Sequence, residues 1–181
     1  VLNTPQQIQL WGSVGQPAAI HVDTGMHRLG LPVADAAASL PLINFDVRLL
    51  VSHLARADES GHPSISEQLR RIQAVYAQWV QRFVGLRLSL SNSAGILRGV
   101  GSEQLTRAGI ALYGGNPFRN EANPMRAVAT LQGRVIQLRD VSAGEPLGYG
   151  GTFVTARKMR LAVLGLGYGD GYPRLLSNIG R

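Results

Sequence analysis

Several polar side chains fall where apolar runs end. Arg28 follows PAAIHVDTG (17–25), His53 lies near the end of VRLLVSHLA (47–55), Asn92 and Ser93 lie in LRLSLSNSAG (86–95), and Arg107 with Gly109 precede IALYGGNP (110–117). An arginine in such a place offers a planar fork to a carboxylate or phosphate. A histidine offers proton transfer near neutral pH. Ser93 and the backbone N–H groups of Gly109 and Ile110 suit an anion, because glycine lets the backbone approach closely. Each also has an ordinary alternative: a surface arginine, a histidine satisfied in the core, a polar loop.

The stretch LAVLGLGYGDGYPR (161–174) poses a different question, since an apolar run enters four glycines that surround Tyr168. A dinucleotide fingerprint requires G-x-G-x-x-G opening a helix. Counted from Gly165 the sixth residue is Asp170, and from Gly167 it is Tyr172. No Gly-Lys-Ser or Gly-Lys-Thr occurs, and Tyr172-Pro173 opposes an immediate helix. A glycine-rich turn in a β region remains.

The residues that must hold these groups read as alternating elements. Strands are expected at 17–25, 47–55, 86–95 and 110–117, with a short helix at 34–43 and a helix or turn at 102–109. The clearest helix is SISEQLRRIQAVYAQWVQRF (64–83). Ser64 and Glu67 form a capping-box pattern there, and Ile65, Leu69, Ile72, Tyr76, Trp79 and Phe83 recur on one face. Alternation of this kind predicts a parallel sheet with right-handed crossovers, whose ligands sit at the carboxyl ends of the strands. Beyond about residue 126 the strand-like pieces and turn glycines predict a second, all-β domain, giving domains at 1–126 and 127–181.

Composition narrows the classes. The chain has 181 residues, 45% of them hydrophobic, enough for a substantial core. No apolar run approaches the ~20 residues that cross a bilayer, so a soluble, cytoplasmic protein is expected. Cysteine is absent, which removes disulfide and thiolate chemistry. The net charge of +7 invites nucleic acid, yet the basic residues are scattered, ARKMR (156–160) is the one dense patch, and no binding motif accompanies them. Lys158 is the only lysine.

Taken in order, VDTGMHRLG, SHLARADE, SNSAG, RAGIALYG and GYGDGYPR resemble the alanine racemases, enzymes that carry pyridoxal 5'-phosphate on a (β/α)8 TIM barrel followed by a β domain. The resemblance covers nearly the whole chain. It implies part of the barrel followed by part of the all-β C-terminal domain, interconversion of L- and D-alanine to supply peptidoglycan, and a homodimer with shared active sites. In this family a lysine holds the cofactor on one face of the substrate, and a tyrosine of the neighbouring subunit works on the other. Inversion follows from two bases on opposite faces.

By this resemblance Tyr168 matches the tyrosine. A phenol with a reference pKa of ~10 is a poor base at neutral pH, so neighbours must stabilise the phenolate. His53 matches the histidine that hydrogen-bonds it, and Arg107 the arginine that touches both this histidine and the pyridine nitrogen. An arginine only donates and stays charged, so that ring nitrogen remains unprotonated, which limits side reactions. Ser93 with Gly109 and Ile110 matches the phosphate site. Arg28 matches the residue that reads the cofactor's phenolic oxygen and the substrate carboxylate.

Two positions depart from the family pattern. His21 stands where many relatives carry a carbamylated lysine that positions the arginine, so a negative partner for Arg28 must come from elsewhere. His27 stands where the residue is usually small or amide-bearing. The cofactor lysine of the family falls before residue 1 and is not Lys158, so the chain reads as an internal fragment that does not racemise alone. A racemase of broader substrate range and a noncatalytic pyridoxal-phosphate binding protein are the alternatives; Tyr168 in its β-domain motif argues against the second.

Overall fold

A computed structural model describes residues 1–101 and 103–178; Ser102, the first residue of the expected 102–109 helix or turn, and the terminal 179–181 lie outside the described residues. The chain forms two compact units, Val1–Ala129 and Thr130–Arg181.

In the first unit, helix α1 (Pro5–Gly12) opens where Thr4 Oγ1 accepts the Gln7 N–H at 3.2 Å and Pro5 fits the first turn. The sequence reading did not anticipate this helix. Strand β1 (Ala18–Asp23) follows, then the two-residue β2 (Leu31–Pro32), α2 (Val33–Ser39) with a 3-10 turn to Leu42, β3 (Val47–Val51), α3 (Pro63–Trp79), β4 (Arg87–Ser89) and α4 (Ser93–Leu97). The strands form one parallel sheet in the order β2-β1-β3-β4. Because all run the same way, the ends of β1, β3 and β4 share one edge, with His21 opposite Val51 and Val51 opposite Ser89. Ile20, Val22, Val47, Leu50 and Leu90 are fully buried in the core with Ile72 and Trp79 of α3.

Three local expectations change. The cap of α3 is His62, whose Nδ1 accepts the Ser64 N–H at 3.1 Å, while Glu67 turns outward to Arg70 and Arg71. The helix stops at Trp79, and Phe83 packs back on it from the following turn with ring centroids 6.0 Å apart. IALYGGNP is not a strand: Ile110–Tyr113 is a 3-10 turn, pinned by Ala111 N–H on Ser93 Oγ and closed by Gly114 at φ 74. A left-handed residue at that point favours glycine and ends the turn.

The second unit pairs β5 (Val135–Val141) antiparallel with β8 (Met159–Leu164), and β6 (Pro146–Leu147) antiparallel with β7 (Phe153–Val154). Buried Thr155 binds the turn between β5 and β6, donating from Oγ1 to the Ser142 carbonyl at 2.6 Å and accepting the Glu145 N–H at 2.9 Å. Its described residues contain no α-helix. No helix among the described residues is long and apolar enough to cross a membrane.

Candidate active site at the strand ends

The edge shared by β1, β3 and β4 gathers most of the chemistry-bearing side chains. After β1 the chain turns on Asp23, whose Oδ1 accepts the N–H groups of Gly25, Met26 and His27 at 2.9, 2.8 and 3.1 Å. Burial opposes ionisation of this carboxyl, but the three donors outweigh it and hold the group below the usual carboxylate range. The turn delivers Arg28, exposed and without a hydrogen-bond partner among the described residues.

After β3 comes His53, and Arg107 reaches it from the segment after α4. Arg107 Nη2 lies 3.2 Å from His53 Nδ1 and donates also to the Ser52 carbonyl, while Nη1 donates to Ser89 Oγ. An arginine only donates. His53 Nδ1 is therefore the accepting nitrogen, and Nε2 carries the hydrogen. Burial first, and then the Arg107 and Arg28 charges with His21, hold His53 below its ordinary value, so the ring is neutral. Burial also presses Arg107 downward, against the attraction of Glu103.

His21 projects into the same electrostatic neighbourhood from β1. Asn3 Oδ1 lies 3.0 Å from its Nδ1, which makes Nδ1 the donor and leaves Nε2 a bare acceptor, buried and unpartnered among the described residues. Burial, Arg107 and Arg28 lower its pKa, against an opposing contribution from Asp23. The edge thus holds two arginines and two neutral histidines.

An anion cradle lies next to them. Asn92 caps α4 by accepting the Gly95 N–H at 3.1 Å, which fixes Ser93 at the first turn. Ser93 Oγ in turn accepts the N–H groups of Gly109 at 2.8 Å and Ala111 at 3.2 Å. The amides converge on one oxygen, the chemistry that a phosphate oxygen would meet there. A pocket of about 300 Å³ lined by His53, Asn92, Ser93, Arg107, Gly109 and Ile110 opens beside it. These donors fit the phosphate of pyridoxal phosphate, with one change from the sequence reading: the second amide on Ser93 belongs to Ala111, beside the anticipated Ile110.

Tyr168 belongs to the second unit. It starts a 3-10 turn (Tyr168–Asp170) held by Gly167 N–H on Asp170 Oδ2 at 2.9 Å, and its side chain is 73% exposed. Of the surrounding glycines, Gly171 is required by its φ of 94, whereas a Cβ on Gly167 or Gly169 would meet nothing within 4 Å. Lys158 is also in this unit.

The sequence reading missed Ser52 and Ser89, which receive Arg107, and Gln68 of α3. A polar residue at a buried helix position was the available signal for Gln68; no periodicity marks the two serines.

Comparisons with known proteins place the chain in a family. The family described as "Alanine racemase, N-terminal domain" matches residues 1–117, and "Alanine racemase, C-terminal domain" matches 128–181. Alanine racemase of Rhodospirillum rubrum is 44% identical over 98% of this chain and 50% of its own length. The biosynthetic alanine racemase of Agrobacterium fabrum is 42% identical over 99% of this chain and 48% of its own. Among solved structures, the alanine racemase from Bartonella henselae with covalently bound pyridoxal phosphate superposes with a TM-score of 0.78 at 36% identity, covering 97% of this chain and 51% of that one. The chain spans about half the length of the curated relatives it matches. On both family matches and these identities, the chain belongs to the alanine racemase family.

Proposed function

We propose that the enzyme containing this chain is an alanine racemase, interconverting L- and D-alanine with pyridoxal phosphate and so supplying D-alanine for peptidoglycan. The observation that carries this reading is the Arg107–His53 pair, set beside a phosphate-sized cradle and joined to the family match. Residues 1–126 act as the C-terminal portion of the barrel domain and 127–181 as the start of the all-β domain. The active enzyme is a cytoplasmic homodimer in which Tyr168 of each subunit serves the partner's site. Lys158 is not the cofactor lysine, and this chain alone does not racemise.

Bound pyridoxal phosphate supplies the electron sink that acidifies the Cα–H of the amino acid. The chain's own groups do the rest. Ser93, with the Gly109 and Ile110 backbone, holds the phosphate. Arg28 holds the substrate carboxylate and the cofactor's phenolic oxygen. His53 donates from Nε2 to the Tyr168 oxygen, stabilising the phenolate that takes the Cα proton of L-alanine; in the reverse direction the Tyr168 phenol protonates that same face and yields L-alanine. Arg107 keeps His53 in that tautomer, and would also face the pyridine nitrogen of the cofactor.

The test is Tyr168→Phe in the full-length enzyme. Removal of the L-alanine proton should slow far more than removal of the D-alanine proton, measured by exchange of each enantiomer's Cα hydrogen with solvent. Equal small losses in both directions would remove Tyr168 from this role.

A further inference from the structure

The apolar stripe of α3 contains one residue that packing does not explain. Its buried positions are Gln68, Ile72, Val75 and Trp79, and Gln68 is 2% exposed. Burying an amide among aliphatic side chains is unfavourable unless each polar atom finds a partner. Gln68 finds three. Its Oε1 accepts the Ala55 N–H at 2.9 Å, and its Nε2 donates to the His53 carbonyl at 2.9 Å and to Thr24 Oγ1 at 3.2 Å.

Those partners sit on two different loops. Ala55 and His53 follow β3; Thr24 follows β1 and begins the turn that carries Arg28. Thr24 Oγ1 is also 2.7 Å from Ser52 Oγ, and the Ser52 carbonyl receives Arg107. Arg71, one turn along α3, donates to the Thr24 carbonyl at 3.1 Å. A single amide therefore ties the His53 backbone to the Arg28 turn. A leucine would fill this place in the core without joining the loops, and a glutamate would lack both donors and face the His53 carbonyl with a second acceptor.

We propose that Gln68 is a positioning residue for the racemase site, setting the main chain of His53 and of the Thr24 turn while touching no reacting group. The inference rests on the racemase reading above. Catalytic groups must be held within about 0.5 Å of their productive geometry, and supporting hydrogen bonds do this. Loss of the tie should act most on the half-reaction that uses His53 through Tyr168.

The experiment compares full-length holoenzyme carrying Gln68→Met, Gln68→Glu or Val75→Ala, the last a core control on the same stripe without polar ties. Thermal stability, kcat and KM, solvent exchange of the Cα hydrogen of each enantiomer, and, without substrate, hydrogen exchange of the Ala55 amide and the ¹⁵N shifts of the His53 ring are measured. Displacing a catalytic group by a fraction of an ångström costs on the order of 10- to 100-fold. Both Gln68 variants should lose kcat/KM on that scale, equally in the two directions because the equilibrium constant is one, with solvent exchange of the Cα hydrogen slowed more for L-alanine than for D-alanine, and both should show faster Ala55 exchange and shifted His53 resonances. Val75→Ala should lower stability without the unequal slowing of Cα-hydrogen exchange or the spectral change. Gln68→Met with wild-type kcat/KM, or with Cα-hydrogen exchange slowed equally for the two enantiomers and losses matching Val75→Ala, would overturn the proposal. A wild-type enzyme that does not racemise alanine would sink the functional reading, and the exchange and ¹⁵N shifts would then decide on positioning alone.

Discussion

The two units treat their chemical groups in opposite ways. In the first, each site side chain except Arg28 is anchored: Asp23 holds three backbone amides, Arg107 is fixed on Ser52, Ser89 and His53, and Ser93 gathers two N–H groups. In the second, Tyr168 stands largely exposed on a turn whose hydrogen bonds stay within Gly167–Tyr172. A group that binds cofactor gains from being preorganised, because no reorganisation is needed when charge develops. On the proposed reading Tyr168 serves a site outside its own unit, a task that needs reach and a stiff base, and it stands exposed on a short turn closed by Gly171.

The largest effect that would sharpen this contrast is again at Tyr168, now read as activity against stability. Loss of a general base costs about 10²- to 10⁴-fold in rate, so Tyr168→Phe should fall in that range for L-alanine. Its melting temperature should fall little, because the exposed hydroxyl makes no hydrogen bond within the chain among the described residues and gives up only the proposed bond from His53. A large drop in melting temperature would show that the phenol is structural and would break the contrast.

Asp23→Ala should show the reverse, a stability loss first. Hydrogen bonds to a charged acceptor are worth about 1.5–3 kcal/mol, so removing a carboxylate that holds three amides should cost roughly 2 kcal/mol by urea unfolding and weaken substrate binding through Arg28. The carboxyl's pKa is lowered in the fold, so its contribution is present above the ordinary carboxylate range and disappears as the pH falls through the lowered value. An unchanged unfolding midpoint at pH 7 would show that the turn closes without it.

The parallel strands β1, β3 and β4 were legible because buried parallel strands are short apolar runs, and the groups that anchor the site were not. Arg28, His53, Ser93 and Arg107 announce themselves by residue type at strand ends. Ser52 and Ser89 do not, since what they offer Arg107 is a carbonyl and a hydroxyl on neighbouring strands, set by register. The 110–117 strand was misread for a related reason: its apolar pattern suits β structure, but Ser93, eighteen residues before Ala111, captures the Ala111 amide and curls the segment. Long-range polar capture leaves no local trace, whereas α3 was readable from its period even though its cap was not.

A milder test uses pH alone. His21 and His53 both lie below the ordinary value of 6.5 in the fold. Below that pH the unfolded chain binds protons that the fold refuses, so stability should decline as the pH drops from about 6.5 toward the lowered values. All four histidines, at 21, 27, 53 and 62, lie in the first unit, so the decline should belong to that unit. His21→Asn should reduce the slope measured by denaturant unfolding between pH 7 and 5. An unaltered slope would show that His21 is not held neutral and that the edge does not carry the cationic surplus described above.

The smallest expected effect concerns His27, which lies between the anchored carboxylate and the free arginine. Its φ of 54 is left-handed, a region that asparagine and glycine occupy with less strain than histidine, and its side chain is exposed with Nδ1 3.8 Å from Asp23 Oδ2. His27→Asn should therefore raise stability by about 0.5 kcal/mol, a fraction of the roughly 1–3 kcal/mol that such backbone strain costs in full, and leave kcat with alanine unchanged. Because the turn is already fixed by Asp23, relieving strain at its apex should not move Arg28. A change in KM for alanine larger than threefold would mean that the apex, and not the carboxylate beneath it, sets the direction of the arginine.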